Sequence, residues 1–301
     1  REASEDELFA LGVKRLNSMI GFGVTTVEGK SGYGLDRETE LKQLRVMKRL
    51  NEVSSMDLVA TFMGPHARPV EYKDNPQGFI DEMIRLLPEV AATGIPVFAD
   101  IFCERNVFSV DESRQFLKAA REAGFKLKIH ADEIVTLGGA ELAGELGATS
   151  ADHLLQASDA GLAAMKEAGV VATLLPITAF SLREDYARAR HMIDSGMTVA
   201  IATDFNPGSC FSESVPLLIA LATNHMKMTV EEMLTALTIN GAAALGLADR
   251  IGSIEVGKQA DLLVHEFPSY KFLPYHIGVS TVEKVIKKGV MILDRESDRP
   301  L

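Results

Sequence analysis

The sequence is short of cysteine, of basic runs and of long apolar stretches, and each shortage excludes something. Cys103 and Cys210 are its only two cysteines. That is too few for a disulfide framework, so a reducing, cytoplasmic setting is the simple expectation. No apolar run reaches the ~18–20 residues that span a bilayer, and residues 1–10 do not read as a signal peptide. No Lys/Arg run or basic stripe appears, and the net charge is −11. Neither nucleic acid nor an anionic membrane is therefore an expected partner. What the sequence does have is a core. Of 301 residues, 47% are hydrophobic and 24% charged, which suits one large α/β domain with a small appendage.

One pattern repeats along the chain: a short β-rich apolar run, a polar or Gly-containing loop, then a helix-period stretch. Strands are predicted at 23–29, 57–64, 95–102, 127–133, 148–154, 170–176 and 198–204. Several are apolar on consecutive positions, as strands buried on both faces of a parallel sheet are. Helices are predicted at 38–52, 77–92, 111–123, 137–147, 158–168, 182–195, 212–223 and 229–245. Many end in glycine, as in EAGF (122–125), EAGV (167–170) and DSGM (194–197), which is helix C-cap chemistry. Strict β-α alternation predicts a parallel α/β fold.

A (β/α) barrel needs eight strands, and seven are found, with a helix before the first. That helix has a capping box at Ser4 and Glu7, apolar residues at Phe9, Val13, Leu16 and Ile20, and a stop at Gly21 and Gly23. A barrel whose first strand lies upstream of residue 1 has this pattern; a seven-stranded open sheet is the alternative. Residues 1–246 are expected to form the barrel. Residues 247–301 alternate with period 2 in IGSIEVGKQADLLVHE (251–266) and VEKVIKKGVMIL (282–293) and are expected to form a small β-rich segment.

Titratable residues accumulate where strands end: EGKSGYG (28–34), GPHARP (64–69), FADIFCE (98–104), IHADE (129–133), SADHL (150–154) and ATDFNPG (202–208). In parallel barrels the working residues sit there. Singly, a strand-end His reads as a hydrogen-bonded structural residue, and Asp204 before NPG as a turn starter. Asp132 and Asp152 read as caps or loop solvation. Together they count for more, because strand ends of one barrel converge on one cavity. His and Asp side chains at such a mouth suit Zn²⁺ or Fe²⁺. His130 is then the ligand, Glu133 a proton shuttle and Asp132 a bystander. Lys30 reads as a loop or substrate-side charge and Cys103 as a buried, inert thiol. His191 and His225 read as helix-surface and helix-end residues, and His265 and His276 lie in the tail, away from the mouth.

IHADE, SADHL and ATDFNPGS, in that order, resemble the amidohydrolase superfamily, and the tail GSIEVGKQADLLV is similar to that superfamily's return into its small domain. The resemblance runs from about residue 20 to 293. It implies a metal-dependent (β/α)8 barrel of the TIM type, lacking its first strand in this chain, plus a β-sandwich layer from the C-terminal segment. EGKSGYGLD, FMGPHARPVEY, FADIFCE and TDFNPGS resemble one branch of it. That branch opens the cyclic amide of 4-imidazolone-5-propanoate to N-formimidoyl-glutamate in histidine degradation. The resemblance implies metal ligation by His130 and Asp204, with one zinc or iron ion per subunit. It implies catalytic roles for Glu133, His153 and Asp204, and substrate binding by Tyr33, His66, Glu133, Asn206, Gly208 and Ser209. It implies a homodimer acting on a small molecule.

The superfamily's first strand ends in His-x-His, and no two of the seven histidines here are two residues apart. The expectation is that an N-terminal portion lies outside this chain. FADIFCE carries no lysine, so no carbamylated lysine bridges two metals and a mononuclear site is expected. Two other readings stay open: another superfamily hydrolase or deaminase acting on a cyclic amide or aminated heterocycle, or a shortened, non-catalytic copy.

Overall fold

The computed structural model describes residues 1–295. Its elements follow the alternation in the sequence. They are α1 (Glu5–Gly21), β1 (Thr26–Lys30), α2 (Arg37–Val53), β2 (Asp57–Phe62), α3 (Pro76–Ala92), β3 (Pro96–Ala99), β4 (Phe102–Cys103), α4 (Val110–Glu122), β5 (Lys126–Ala131), α5 (Gly139–Leu146), β6 (Ser150–His153), α6 (Asp159–Ala168) and β7 (Val171–Leu174). Then come α7 (Pro176–Leu182), α8 (Ala189–Asp194), β8 (Val199–Ile201), α9 (Val215–Asn224), α10 (Val230–Leu237), α11 (Ile239–Ala244), β9 (Leu262–His265), β10 (Val282–Lys287) and β11 (Val290–Asp294). No helix among the described residues is long and apolar enough to cross a membrane.

The chain divides into two compact units. The first holds residues 1–12, 28–53 and 58–172; the second holds 13–27, 54–57 and the chain from 173 onward. In the first unit the strands are parallel, in the order β1-β2-β3-β5-β6-β7, with β4 also beside β5. Helix boundaries there have local causes. Ser109 and Glu112 close a capping box on α4, Asn75 caps α3 ahead of Pro76, and left-handed glycines 147 and 169 end α5 and α6. The expected box at Ser4 and Glu7 starts α1, with Ser4 N–H donating to Glu7 at 2.8 Å and Glu7 N–H to Ser4 Oγ at 3.2 Å.

The second unit contains the pairing of β7 with β8, where Ala202 N–H donates to Leu174 O at 3.1 Å, and the antiparallel sheet β11-β10-β9. This is the small β-rich layer expected from the C-terminal segment. The predicted strand at 282–293 is a hairpin. Lys288 and Gly289 both take positive φ, 53° and 79°, which is the two-residue turn that matches strand twist. The predicted strand at 251–266 shrinks to β9.

Three other boundaries depart from the sequence pattern. The run at 95–102 is interrupted at Asp100–Ile101, giving β3 and β4. Pro176 at the first turn of α7 starts a helix directly after β7, where proline's missing N–H costs nothing; the predicted helix 182–195 becomes the end of α7 and α8. Thr238, at φ −113° and ψ −94°, separates α10 from α11.

Candidate active site

Sheet register decides what meets at the strand ends of the first unit. His130 on β5 stands opposite Phe102 on β4 and Asp152 on β6, and Lys128 stands opposite Ser150. Partners in register share a face, and residues two apart repeat it. Lys128, His130, Ser150 and Asp152 therefore line one face. Ile129 and Ala131 turn to the other, fully buried.

That face is polar and organised in two layers. In the lower layer the Lys128 ammonium, 1% exposed, donates to Ser150 Oγ at 3.0 Å and Glu28 Oε2 at 3.1 Å. It also lies 4.8 Å from the Phe98 ring centre. In the upper layer Lys30 Nζ lies 2.7 Å from Asp100 Oδ2, 3.0 Å from Asp152 Oδ2 and 3.1 Å from Glu28 Oε1. Asp100 in turn accepts from His130 Nδ1 at 3.2 Å. Burial pushes the Lys30 ammonium down, but three carboxylates more than offset it and hold its pKa well above the usual range. Burial pushes Asp100 up, yet His130 and Lys30 hold it well below ordinary carboxylates. Burial also pushes His130 down, and Asp100 lifts it to about 8.

Two expectations are corrected here. Lys30 is no loop charge: it stands inside the acidic cluster. Asp152 does not solvate a loop: it is 3% exposed and faces Lys30 and His130.

His153 is paired with Ala131, the opposite parity to His130. The strand ends there in left-handed backbone, φ 75° at His153 and 61° at Leu154, and the ring lies 5.1 Å from that of His130, centre to centre. Its Nδ1 is buried without a hydrogen-bond partner among the described residues and faces Glu133 Oε1 at 3.5 Å. Left-handed φ recurs at Asp132 (49°) and, in the second unit, at Asp204 (52°). Strain of this kind gathers at functional sites, and no composition signal marks it in advance.

Glu133 is presented by a loop gripped on both sides. The Asp132 carboxylate accepts from the backbone N–H groups of Leu137, Gly138, Gly139 and Ala140 at 2.7–3.3 Å, so the expected bystander caps α5. Glu104 Oε2 accepts from Ile134 N–H at 2.8 Å. Sequence reading passed over Glu104, Glu40 and Asp100, because buried carboxylates that grip backbone or histidine carry no spacing signature.

Tyr33 and His66 also lie in this unit. The SGYGL loop is fastened by Glu40, whose carboxylate accepts from the N–H groups of Gly32, Gly34 and Leu35 at 3.0, 2.8 and 3.0 Å. Gly32 has φ 116°, and a Cβ there would meet Met63 O at 2.8 Å and His66 Cβ at 2.9 Å, so only glycine fits. The Tyr33 ring centre lies 4.7 Å from that of His66. His66 stacks on Phe102 and meets the edge of His130, at 6.0 and 6.5 Å.

In the second unit Thr178 donates to Asp204 Oδ2 at 2.6 Å. Asn206 builds the following turn. Its Oδ1 accepts from Gly208 and Ser209 N–H, each at 2.8 Å, and its Nδ2 donates to Asp204 O at 2.8 Å. Asp204, Asn206, Gly208 and Ser209 are thus one local construction.

Ligand atoms of Asp100, His130 and Asp152 lie within 4.8 Å of one another. The Lys30 ammonium already compensates both carboxylates, however. The face of His130 that fits an ion is the other one. In the neutral imidazole, Nδ1–H directed at Asp100 leaves the lone pair on Nε2, as in carboxylate–histidine–metal arrangements. The orphaned His153 Nδ1 nearby is a second polar atom awaiting a partner.

A sequence model of the amidohydrolase family matches residues 2–293. An imidazolonepropionase from Clostridium tetani is 61% identical over 293 residues, 97% of this chain and 70% of that protein. One from Parabacteroides distasonis is 58% identical over 294 residues, 97% of this chain and 71% of that protein. Among solved structures, an adenosine deaminase from Xanthomonas campestris with bound zinc aligns with TM-score 0.71 at 19% identity, covering 97% of this chain and 71% of that one. A triazine hydrolase variant aligns with TM-score 0.76 at 16% identity, covering 99% and 74%. At such identities these two structures speak for the fold alone.

Proposed function

This chain belongs to the amidohydrolase family, in its imidazolonepropionase branch, and from that premise we propose how its residues open the cyclic amide of 4-imidazolone-5-propanoate to N-formimidoyl-L-glutamate, a step of histidine degradation. The observation that carries the residue assignments is the meeting of His130, Glu133 and His153 at adjoining strand ends. The centre takes a metal ion; zinc or iron, one per subunit, suits a histidine–carboxylate donor set.

His130 would hold the ion through Nε2. Asp204 is assigned as a second protein ligand on its TDFNPG motif alone. A bound ion would supply Lewis acidity and lower the pKa of water at the site to about 7. The chain's own residues do the rest. His153 orients the attacking water and takes its proton. Glu133 Oε1, 3.5 Å from His153 Nδ1, carries a proton toward the ring nitrogen that leaves as the C–N bond breaks, and Asp204 shares in that transfer. Such contacts tighten when substrate arrives. Tyr33, 44% exposed, and His66 present a ring surface to the planar imidazolone. Asn206, Gly208 and Ser209 hold the propanoate end. Residues 1–246 are assigned the reaction and residues 247–301 the small β-rich segment, of which 296–301 lie outside the described residues, in a cytoplasmic homodimer.

The test is a substrate panel on the full-length gene product. Loss of imidazolone absorbance should accompany N-formimidoyl-glutamate in the mass spectrum, with aminated purines and triazines untouched. Turnover of an aminated ring without turnover of the imidazolone would sink the reading.

A further inference from the structure

The carboxylates of Glu28, Asp100 and Asp152 converge on one point of the first unit, and the ammonium of Lys30 stands at that point, 3.1, 2.7 and 3.0 Å from them. Asp100 is fully buried and Asp152 is 3% exposed. Three carboxylate oxygens around one centre are a donor set for a hard divalent ion such as Mg²⁺ or Mn²⁺. A second, independent feature points the same way. Asp152 Oδ1 is buried and has no hydrogen-bond partner among the described residues, so the Asp152 carboxylate, whose Oδ2 faces Lys30, keeps an acceptor that the ammonium leaves unused. An ammonium brings one charge and at most three hydrogen bonds, whereas a divalent ion brings two charges and accepts more oxygens.

We propose that Lys30 is an internal cation standing where a divalent ion would otherwise bind between Glu28, Asp100 and Asp152, and that it thereby restricts the strand-end centre to a single metal. Lys128 cannot replace it, because Lys128 is committed to Glu28 Oε2 and Ser150 Oγ in the layer below. Lys30 is a positioning residue in this account. It holds Asp100, Asp100 holds His130 Nδ1 at 3.2 Å, and His130 Nε2 is thereby kept for the one ion. Removing the ammonium leaves two buried carboxylates, Asp100 and Asp152, and the half-buried Glu28 short of positive charge, which is costly. Binding an ion from solution relieves that cost.

The experiment compares wild type with Lys30→Ala and Lys30→Gln by equilibrium dialysis against Mn²⁺, counting free ion by electron paramagnetic resonance. Thermal unfolding is recorded with and without the ion. Each variant should bind one more Mn²⁺ per chain than wild type, about tenfold tighter than any weak extra binding to wild type, and should melt higher when Mn²⁺ is added. Lys30→Ala combined with Asp152→Asn should lose the additional ion. A folded Lys30 variant that binds no additional Mn²⁺ overturns the proposal. So does a pair of variants that unfold and are not restored by millimolar Mn²⁺, since a divalent ion then cannot stand in for the ammonium. No substrate enters the measurement, so its failure and that of the hydrolysis proposal are told apart.

Discussion

Replacing Glu40 separates an architectural carboxylate from the residues that do chemistry. Glu40 is fully buried and fixes the loop that presents Tyr33. Truncation to alanine leaves the N–H groups of Gly32 and Gly34 buried without acceptors and that of Leu35 partly so. Each orphaned donor costs ~1–3 kcal/mol. Two full losses and a partial one, reduced by water entering the vacated space, give about 3–5 kcal/mol for Glu40→Ala. Glu40→Gln keeps the volume and one acceptor and should cost about 1–2 kcal/mol. The smaller figure agrees with the electrostatics: burial outweighs the hydrogen bonds and holds the Glu40 pKa above its usual 4.5. The native state therefore holds this proton to a higher pH than the unfolded chain does. Wild type's advantage over Glu40→Gln should be greatest below pH 4.5 and fall as pH rises through the folded pKa. Urea unfolding followed by circular dichroism gives both quantities. If Glu40→Ala lies within about 1 kcal/mol of wild type at an unchanged m-value, the carboxylate does not fasten this loop.

Asp132→Ala removes the acceptor of four backbone N–H groups ahead of α5. It should cost about 2–4 kcal/mol in urea unfolding and lower turnover through the adjoining Glu133 loop; an unchanged midpoint would refute the cap. Asp57, in the second unit, is held at about 2: burial raises it, and hydrogen bonds from Lys287 and Lys288 more than offset this. A depressed folded pKa gives stability present above pH 4 and lost as pH falls toward 2. Asp57 is about a third exposed, so solvent screening reduces the contribution to about 1 kcal/mol. Asp57→Asn should remove that much stability at neutral pH and flatten the acid limb between pH 4 and 2, as read by thermal melts across pH.

Much of this was legible in the sequence, and the remainder divides by physical cause. Period and turn chemistry located the strands and most helices, because EAGF and EAGV glycines and the Ser4–Glu7 box act locally. The interruption at Asp100 was not legible. FADIF is apolar enough to read as one strand, and only the neighbouring register turns Asp100 toward His130. Asp152 and Lys30 were misread for the same reason: each looks like a solvated charge until the parallel sheet places it opposite an unlike one. His130, Glu133 and His153 were legible as a set because strand ends of an α/β fold converge. The turn of the His153 ring toward His130 was not, since it depends on a left-handed residue that any non-β-branched side chain can adopt at some cost.

The central claim is that His130 holds the metal while His153 works on the water, and metal content is the quantity that separates them. Full-length protein carrying His130→Ala or His153→Ala is dialysed identically, and metal per subunit is measured by atomic emission beside the turnover of each. His130→Ala should lose metal and activity together, because a ligand is gone. His153→Ala should keep most of its metal while turnover falls by about two orders of magnitude or more. Equal loss of metal in both variants would contradict the division of roles.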